Sequence, residues 1–206
     1  MDGTDDIVEL RQYTLHPGAR ETLIELFERE FVGGQEAVGI RVGGRFRDLD
    51  DPDRFVWLRS FPDMASRRRS LEAFYGGPVW RRRREEANAT MVDSDDVLLL
   101  RGPGFAAAPG VSAVLVTICH PAGPEAFDAY AARHLGTHHA LHRTEHAVND
   151  FPALPVREGE EVRVWFGPAE PHPWPAVQLR LEPVEWEVGG ADFPHRVTRG
   201  SRGGGF

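Results

Sequence analysis

Two tryptophan-bearing segments decide the architecture of this chain: Asp51-Pro-Asp-Arg-Phe-Val-Trp57-Leu-Arg-Ser-Phe61 and Val156-Arg-Glu-Gly-Glu-Glu-Val-Arg-Val-Trp165-Phe166. In each segment, turn-forming residues precede a run that is typical of the second strand of a β-hairpin. Each segment also follows a predicted strand, a long helix and another strand. The chain therefore contains the same β-α-β-β unit twice, and such repetition predicts an architecture before any single residue is interpreted.

The first repeat reads as a complete ferredoxin-like unit. Alternating apolar and polar residues predict strands over 7–15, 40–48, 55–61 and 96–101. One helix is predicted from the spacing of Leu23, Leu26, Phe27 and Phe31, and a second begins after Pro62-Asp63 and breaks at Gly76-Gly77-Pro78. The order β-α-β-β-α-β is the split βαβ arrangement.

The second repeat is a diverged copy that lacks its second helix. We predict a helix over 124–147 and strands over 111–120, 148–154, 161–166 and 177–183. A proline-rich loop, 167–175, is long enough to replace the missing helix, since neighbouring strands lie only ~4.8 Å apart. The predicted domains are 1–101, a linker at 102–110, the second repeat at 111–188, and a flexible tail at 189–206. The fold class is α+β.

Composition excludes several classes of function. The net charge of -8 argues against a nucleic-acid partner, because phosphate binding needs a basic face. No stretch approaches the ~20 apolar residues of a membrane span. The only cysteine, Cys119, lies in a predicted strand, which indicates a reducing cytoplasm and a buried filler role. All 24 basic residues are arginine, a bias typical of GC-rich bacterial coding.

The first hundred residues resemble the NIPSNAP family. The resemblance is carried by Val8-Glu-Leu-Arg-Gln-Tyr13-Thr-Leu-His-Pro-Gly18, by the turn and strand leading to Trp57, and by Gly76-Gly-Pro-Val-Trp80. One departure is Val8, where the family often has a bulky aromatic residue. The resemblance implies the dimeric α/β-barrel superfamily, in which two ferredoxin-like sheets face each other around a ligand cavity. Here the barrel would form within one chain or across a homodimer.

In such a barrel we expect Val8, Leu10, Val56 and Leu58 to pack on helices. The barrel interior would then receive the polar and aromatic residues of the same strands: Glu9, Arg11, Tyr13, Trp57 and Arg59. Arginine forks match carboxylate geometry, so Arg11 and Arg59 could clamp an anionic or carbonyl substrate. Glu9 would be a general base and Tyr13 an acid or hydrogen-bond donor. The alternative is a structural ion-pair network that only fixes the register of the sheet.

Four further residues are candidates for binding a substrate. They are aromatic or cationic and lie in the predicted strands or beside the broken helix: Trp57, Arg45, Tyr75 and Trp165. The two tryptophans occupy equivalent positions in the repeats. Their alternative role is packing in the core.

Histidines recur every four residues in the helix predicted for the second repeat. They are His134, His138, His142 and His146. His134 and His138 fall on the apolar stripe of that helix, where a neutral imidazole could shuttle protons or serve as an axial haem ligand. The alternative is a pair of hydrogen-bonded interface histidines. The sequence offers no cysteine partners or acidic triad for a structural metal, so no metal is predicted.

These observations favour a cytoplasmic, cofactor-independent enzyme of the monooxygenase or isomerase type, acting on a small molecule in a barrel cavity. That assignment is what the superfamily resemblance implies. The alternative is a non-catalytic protein that binds haem or another small ligand, and a third reading is a dimerisation module. Predicted partners are a small molecule and either a second copy or the other repeat, with no nucleic acid and no membrane.

Overall fold

The computed structural model describes residues 6–185. Its strands are β1 (Asp6–Leu15), β2 (Arg41–Asp48), β3 (Arg54–Phe61), β4 (Met91–Gly102), β5 (Val114–Cys119), β6 (Ala140–Thr144), β7 (Arg163–Phe166) and β8 (Ala176–Pro183). Its α-helices are α1 (Arg20–Leu26), α2 (Val32–Glu36), α3 (Met64–Tyr75), α4 (Pro78–Asn88) and α5 (Pro124–His134), with a π-helical segment (Phe27–Phe31) between α1 and α2. No helix among these residues is long and apolar enough to cross a membrane.

The strands form one closed antiparallel barrel in the order β1-β3-β2-β8-β5-β7-β6-β4. Each repeat contributes four neighbouring strands, and within each the order is fourth, first, third, second. The repeats join where β2 pairs with β8 and where β4 pairs with β6. The predicted pair of ferredoxin-like repeats is confirmed, and the barrel closes within a single chain.

The predicted orientation of the sheets is wrong. The barrel interior is a single apolar cluster drawn from both repeats, which includes Val8, Leu10, Val56 and Leu58 together with Val116, Val164 and Leu181. Glu9, Arg11, Trp57 and Arg59 lie on the opposite face, under the helices. An eight-stranded barrel is just wide enough for side chains to fill, so its inward faces bury each other. The charged residues instead lie under the helices, where they pair with one another and with Arg67 of α3.

The helical layers differ between the repeats. In the first, α1, the π-helical segment and α3 cover the sheet with an aromatic core that includes Phe27, Phe31, Trp57 and Phe74. In the second, α5 alone contributes a helical layer, and Cys119, Phe127, Tyr130 and Trp165 form a small core. The loop 167–175 joins β7 to β8 without a helix, as predicted. Burial raises the pKa of the Cys119 thiol to about 11, which suits a packing role.

The histidine-rich helix is shorter than predicted. Helix α5 ends at His134, a turn closes from Gly136 to His139, and the chain then enters β6, which contains His142. A glycine just beyond the last helical residues is a common reason for a helix to stop. The predicted strand over 148–154 is also wrong, because residues 145–162 form a long loop between β6 and β7.

The linker between the repeats crosses one end of the barrel. Phe105 packs between Phe46 and Phe166, with ring centroids 6.3 Å and 4.1 Å away. The Gly43-Gly44 pair forms a break in the register of β2 and β3, and the Gly44 amide donates to the Phe105 carbonyl at 2.7 Å. The tail predicted over 189–206 lies outside the described residues.

Candidate functional site: a buried arginine cluster around Glu9

The first repeat holds a buried carboxylate surrounded by guanidinium groups, which we call the Glu9 cluster: Glu9, Arg11, Arg59 and Arg67. Glu9 on β1 lies directly across from Arg59 on β3, and Arg11 follows two residues later on the same face of β1. All four side chains are at most 1% exposed. The cluster therefore sits in a layer closed to solvent between the sheet and α3.

Both oxygens of Glu9 are used. Oε2 accepts from Arg11 Nη1 at 2.6 Å and from Arg59 Nε at 2.7 Å, and Oε1 accepts from Arg67 Nε at 2.7 Å. Such charge-assisted hydrogen bonds are the strong ones in proteins. Burial opposes the charged form of Glu9, but the positive charges of Arg59, Arg11 and Arg67 outweigh it and hold the pKa of Glu9 well below its usual range. A carboxylate with so little affinity for a proton is a poor general base.

Arg67 is the member that sequence analysis missed. It lies in the basic run Arg67–Arg69, where a charged residue is easily read as solvent-facing. The signal that could have found it is its spacing: Arg67, Leu71 and Phe74 fall at i, i+4 and i+7, and all three are buried on one face of α3. The side chain of Asp63 caps the helix by accepting from the Ser66 amide at 2.6 Å, which fixes where that face begins.

Two tyrosines border the cluster. Arg11 Nε donates to the hydroxyl of Tyr13 at 3.0 Å, and Arg59 Nη1 donates to that of Tyr75 at 3.3 Å. Burial raises the pKa of Tyr13, so its phenol stays protonated near neutral pH. Arg11 and Arg59 also flank the indole of Trp57, with 5.6 Å and 5.4 Å between guanidinium carbon and ring centroid.

A small aromatic cavity adjoins these residues. It measures about 30 Å³, room for a single water molecule, and its walls include Tyr13, Gln35, Trp57, Tyr75 and Trp80. Three buried donors of this layer make no well-aligned hydrogen bond within the described residues: Trp57 Nε1, Arg59 Nη2 and Arg67 Nη2. Arg59 Nη2 lies 2.7 Å from Glu9 Oε2, so Trp57 Nε1 and Arg67 Nη2 are the two without an acceptor. Buried donors are rarely left unsatisfied, so such atoms call for an acceptor that is not part of the chain.

A loop from the second repeat covers the cluster. Arg67 Nη1 donates to Asp150 Oδ1 at 2.8 Å and to Asn149 Oδ1 at 3.1 Å. The ring of Phe151 stacks on Tyr75, 5.9 Å between centroids at 29°. The site therefore combines a sheet and helices of the first repeat with a cover from the second.

Among its described residues, the second repeat has no such cluster. Thr117 pairs with Trp165 across β5 and β7, as Arg11 pairs with Trp57 across β1 and β3. Two residues further along, Leu115 and Gly167 are neighbours where the first repeat has Glu9 and Arg59. The same sheet therefore forms with a leucine, a threonine and a glycine in these positions. Trp165, a predicted binding residue, lies in this layer, where the guanidinium of Arg163 pairs with Glu161 and lies 5.6 Å from the ring centroid of Phe127.

The remaining predicted residues lie apart from the cluster. Arg45 lies on the helical face of β2 but pairs with Glu28, at 2.7 Å and 3.1 Å. His134 is exposed at the end of α5 and stacks on Tyr130, while His138 is exposed in the following turn. The two imidazoles do not share a helical face, so the predicted proton relay is not formed.

The histidine turn fits neither haem nor a metal in this conformation. Haem ligation needs an imidazole aimed into a closed apolar slot, whereas His138 is exposed at the rim of an open cavity. His138, His139 and Glu170 bring ligand atoms within 4.8 Å of one another. However, the Gly136 amide donates to His139 Nδ1 at 3.1 Å, so the proton of the neutral ring is on Nε2 and neither nitrogen has a free lone pair.

A larger cavity lies elsewhere and is apolar. It measures about 670 Å³ and lies beneath the linker, with walls that include Leu49, Phe105, Val111 and Phe166. Its one arginine, Arg180, already pairs with Asp50 through Nε at 2.9 Å. Size alone would favour this cavity. The indole of Trp165 in the second repeat is also unsatisfied, so unsatisfied indoles do not distinguish the layers. We place the candidate site at the Glu9 cluster because there an unsatisfied guanidinium nitrogen, Arg67 Nη2, adjoins uncompensated positive charge.

Fold and site together define the class: an intrachain pair of ferredoxin-like repeats, closed as an α/β-barrel, with a charged layer in one repeat. Residues 8–103 match the NIPSNAP family model. This match confirms the family resemblance that the motifs of the first repeat predict. A NIPSNAP-like domain protein from Burkholderia xenovorans is 29% identical over 46% of this chain and 84% of its own, with a TM-score of 0.42.

Two solved structures span nearly the whole chain. A candidate monooxygenase from Lactobacillus acidophilus is 11% identical over 87% of this chain and 94% of its own, with a TM-score of 0.55. Another, from Fusobacterium nucleatum, is 9% identical over 94% of this chain and 100% of its own, with a TM-score of 0.56. At such low identity they show a shared fold. A search of curated proteins finds no match.

Proposed function

We propose that this protein binds a small anionic molecule in the layer between the sheet and helices of the first repeat. The observation that carries the proposal is a buried guanidinium nitrogen without an acceptor, Arg67 Nη2, in a cluster with excess positive charge. Three guanidinium groups face the carboxylates of Glu9 and Asp150, which leaves a net charge of 3 − 2 = +1. A bound anion would supply both the missing acceptor and the missing charge.

A purely structural role explains the cluster less well. Buried ion pairs contribute little net stability compared with apolar residues of similar volume. The second repeat forms the same four-stranded sheet with Leu115, Thr117 and Gly167 where the first has its charges. The fold therefore does not need the cluster, and this favours a binding role.

The test is calorimetric titration with a panel of small aromatic carboxylates, using two matched variants. Tyr75→Phe removes a hydroxyl that contacts Arg59 at the cavity wall, whereas Tyr130→Phe removes a hydroxyl from the helical layer of the second repeat, away from the Glu9 cluster. We expect Tyr75→Phe to weaken binding about threefold to tenfold, because the loss of the hydroxyl that orients Arg59 costs ~1 kcal/mol. Tyr130→Phe should leave affinity unchanged. Absence of binding across the panel would overturn the proposal.

A second candidate is a cofactor-independent enzyme of the monooxygenase or isomerase type acting in the same layer. The observation that favours it is Tyr13, a protonated phenol at the cavity wall that accepts a hydrogen bond from Arg11. Such a phenol can donate to an oxyanion that develops on a substrate. The enzyme reading predicts that Tyr13→Phe abolishes turnover of a bound ligand and changes its affinity by less than about threefold. Equal loss of affinity and turnover would contradict it.

A further inference from the structure

The loop between β6 and β7, residues 145–162, places two side chains of the second repeat on the Glu9 cluster. Asp150 presents a carboxylate to Arg67, with 2.8 Å between Oδ1 and Nη1. Phe151, the next residue, stacks its ring on Tyr75 at 5.9 Å. A carboxylate and an aromatic ring thus occupy adjacent places in the site, and both belong to one short stretch of chain.

The backbone of the loop is hydrogen-bonded to the first repeat at its two ends, whereas between them the side chains of Phe151, Leu154 and Val156 pack against the core of the first repeat. The Glu145 amide donates to Leu99 O at 2.9 Å, and the Arg157 amide donates to Val97 O at 2.8 Å. Between these points, residues 146–156 make no backbone hydrogen bond to the first repeat within the described part of the chain. A cavity of about 410 Å³ lies between the two limbs of the loop, so the limbs are not packed against each other. Such a segment can open without breaking the sheet.

Of the two carboxylates that face the arginines, Asp150 is the one that a ligand can displace. Its side chain is 25% exposed, whereas Glu9 is fully buried and bonded to three arginines. Moving Asp150 into water leaves the arginines with one carboxylate and an orphan donor on Arg67. The cavity of about 30 Å³ is too small for an aryl ligand, and Phe151 is not one of its walls. Withdrawal of Phe151 instead frees the face of Tyr75 on which its ring stacks.

We infer that the ligand of this site is a small aryl carboxylate, for which Asp150 and Phe151 stand in when the site is empty. Its carboxylate takes the place of Asp150 on Arg67, and its aromatic ring takes the place of Phe151 against Tyr75. The loop then moves outward between Glu145 and Arg157. This inference rests on the proposed function and specifies the class of ligand for that site.

The test compares the affinity of phenylacetate for the wild-type chain, Asp150→Asn and Asp128→Asn. The first substitution removes the competing charge and keeps the shape, while the second makes the same change on the exposed face of α5. We expect phenylacetate to bind Asp150→Asn about tenfold more tightly than wild type, as expected for loss of one charge-assisted contact. Asp128→Asn should match wild type. The neutral isostere phenylacetamide should gain less than about twofold.

Hydrogen exchange supplies a second readout. Phenylacetate should speed amide exchange in residues 146–156, because the ligand displaces that segment. Binding to wild type with unchanged or slower exchange there, or with no gain in Asp150→Asn, would overturn the stand-in role and leave the proposed function intact. If neither chain binds any aryl carboxylate, the proposed function falls as well.

Discussion

Glu9 is the central residue of the candidate site, because it contacts all three arginines. It is fully buried, and its two oxygens accept from Arg11, Arg59 and Arg67 within 2.7 Å. Removing one charge from such a network leaves the others desolvated without compensation, which costs more than the intact network contributes. Glu9 therefore holds the three guanidinium groups in place and keeps them available for a further acceptor.

We predict that Glu9→Gln lowers the free energy of unfolding by about 3–5 kcal/mol at neutral pH, as for other broken buried ion pairs. Urea denaturation measures the change. Glu125→Gln, on the exposed first turn of α5, is the matched control and should stay within about 0.5 kcal/mol of wild type. A loss for Glu9→Gln as small as that of the control would mean that the cluster is solvated in solution.

The low pKa of Glu9 also predicts a pH dependence. The unfolded chain, with a carboxyl pKa near 4.5, takes up a proton before the folded chain does, so acid favours unfolding. The stabilisation from Glu9 is fully present above that pH and is lost progressively below it. The stability difference between wild type and Glu9→Gln should therefore shrink as the pH falls below about 4.5. A difference that stays constant down to pH 3 would contradict the assignment.

At the residue scale, the sequence predicted most members of the Glu9 cluster but assigned them to the barrel interior, whereas they lie on the helical face of the sheet. Alternation along β1 and β3 separates Glu9 and Arg11 from Val8 and Leu10, but it does not tell which face turns inward. That choice depends on the second repeat, whose strands offer a matching apolar face. Arg67 was missed because a charged residue is not expected on the buried face of a helix, although Arg67 lies on that face of α3.

At the scale of elements, the linker depends on a close approach at β2. A β-carbon on Gly43 would lie 2.6 Å from the carbonyl oxygen of Phe105, whereas one on Gly33, in α2, would meet nothing within 4 Å. We predict that Gly43→Ala lowers the free energy of unfolding by about 1–3 kcal/mol through overpacking. Gly33→Ala should raise it by up to about 1 kcal/mol, because alanine favours helix. Thermal denaturation of both variants checks this, and equal effects would show that the linker does not pack there.

Element boundaries were predictable where pattern and local chemistry agreed. The strand from Asp6 to Leu15 and the helix break at Gly76-Gly77 follow directly from alternation and from glycine. The histidine repeat misled because a four-residue spacing fits a helix, although Gly136 ends that helix and His142 belongs to β6. The loop over the Glu9 cluster was not predictable, since its contacts lie in the other repeat.

At the scale of the whole molecule, each of the eight described strands pairs on both sides within one chain. A closed barrel has no free sheet edge through which a second copy could extend it. We therefore predict a monomer of 23.0 kDa in solution. Light scattering coupled to size exclusion measures the mass. A stable species of twice that mass would show that the dimer arrangement persists on another surface.

The repeats share a fold and have diverged in chemistry. Repetition was visible in the two tryptophan segments, and it predicted the barrel correctly. The sequence did not show which repeat holds the buried Glu9 cluster, because that depends on which strand positions meet under the helices. Trp57 lies among the guanidinium groups of the Glu9 cluster, whereas Trp165 lies beside Thr117 in the other helical layer.

These two tryptophans give the most direct test of the central claim, that the charged layer of the first repeat binds a small acid. Their indole N–H resonances, assigned with Trp57→Phe and Trp165→Phe, each report on one layer during titration with aryl carboxylates. We predict that the Trp57 resonance shifts saturably as aryl carboxylate is added, whereas the Trp165 resonance keeps its position. A shift confined to Trp165, or no shift of either signal, would contradict it.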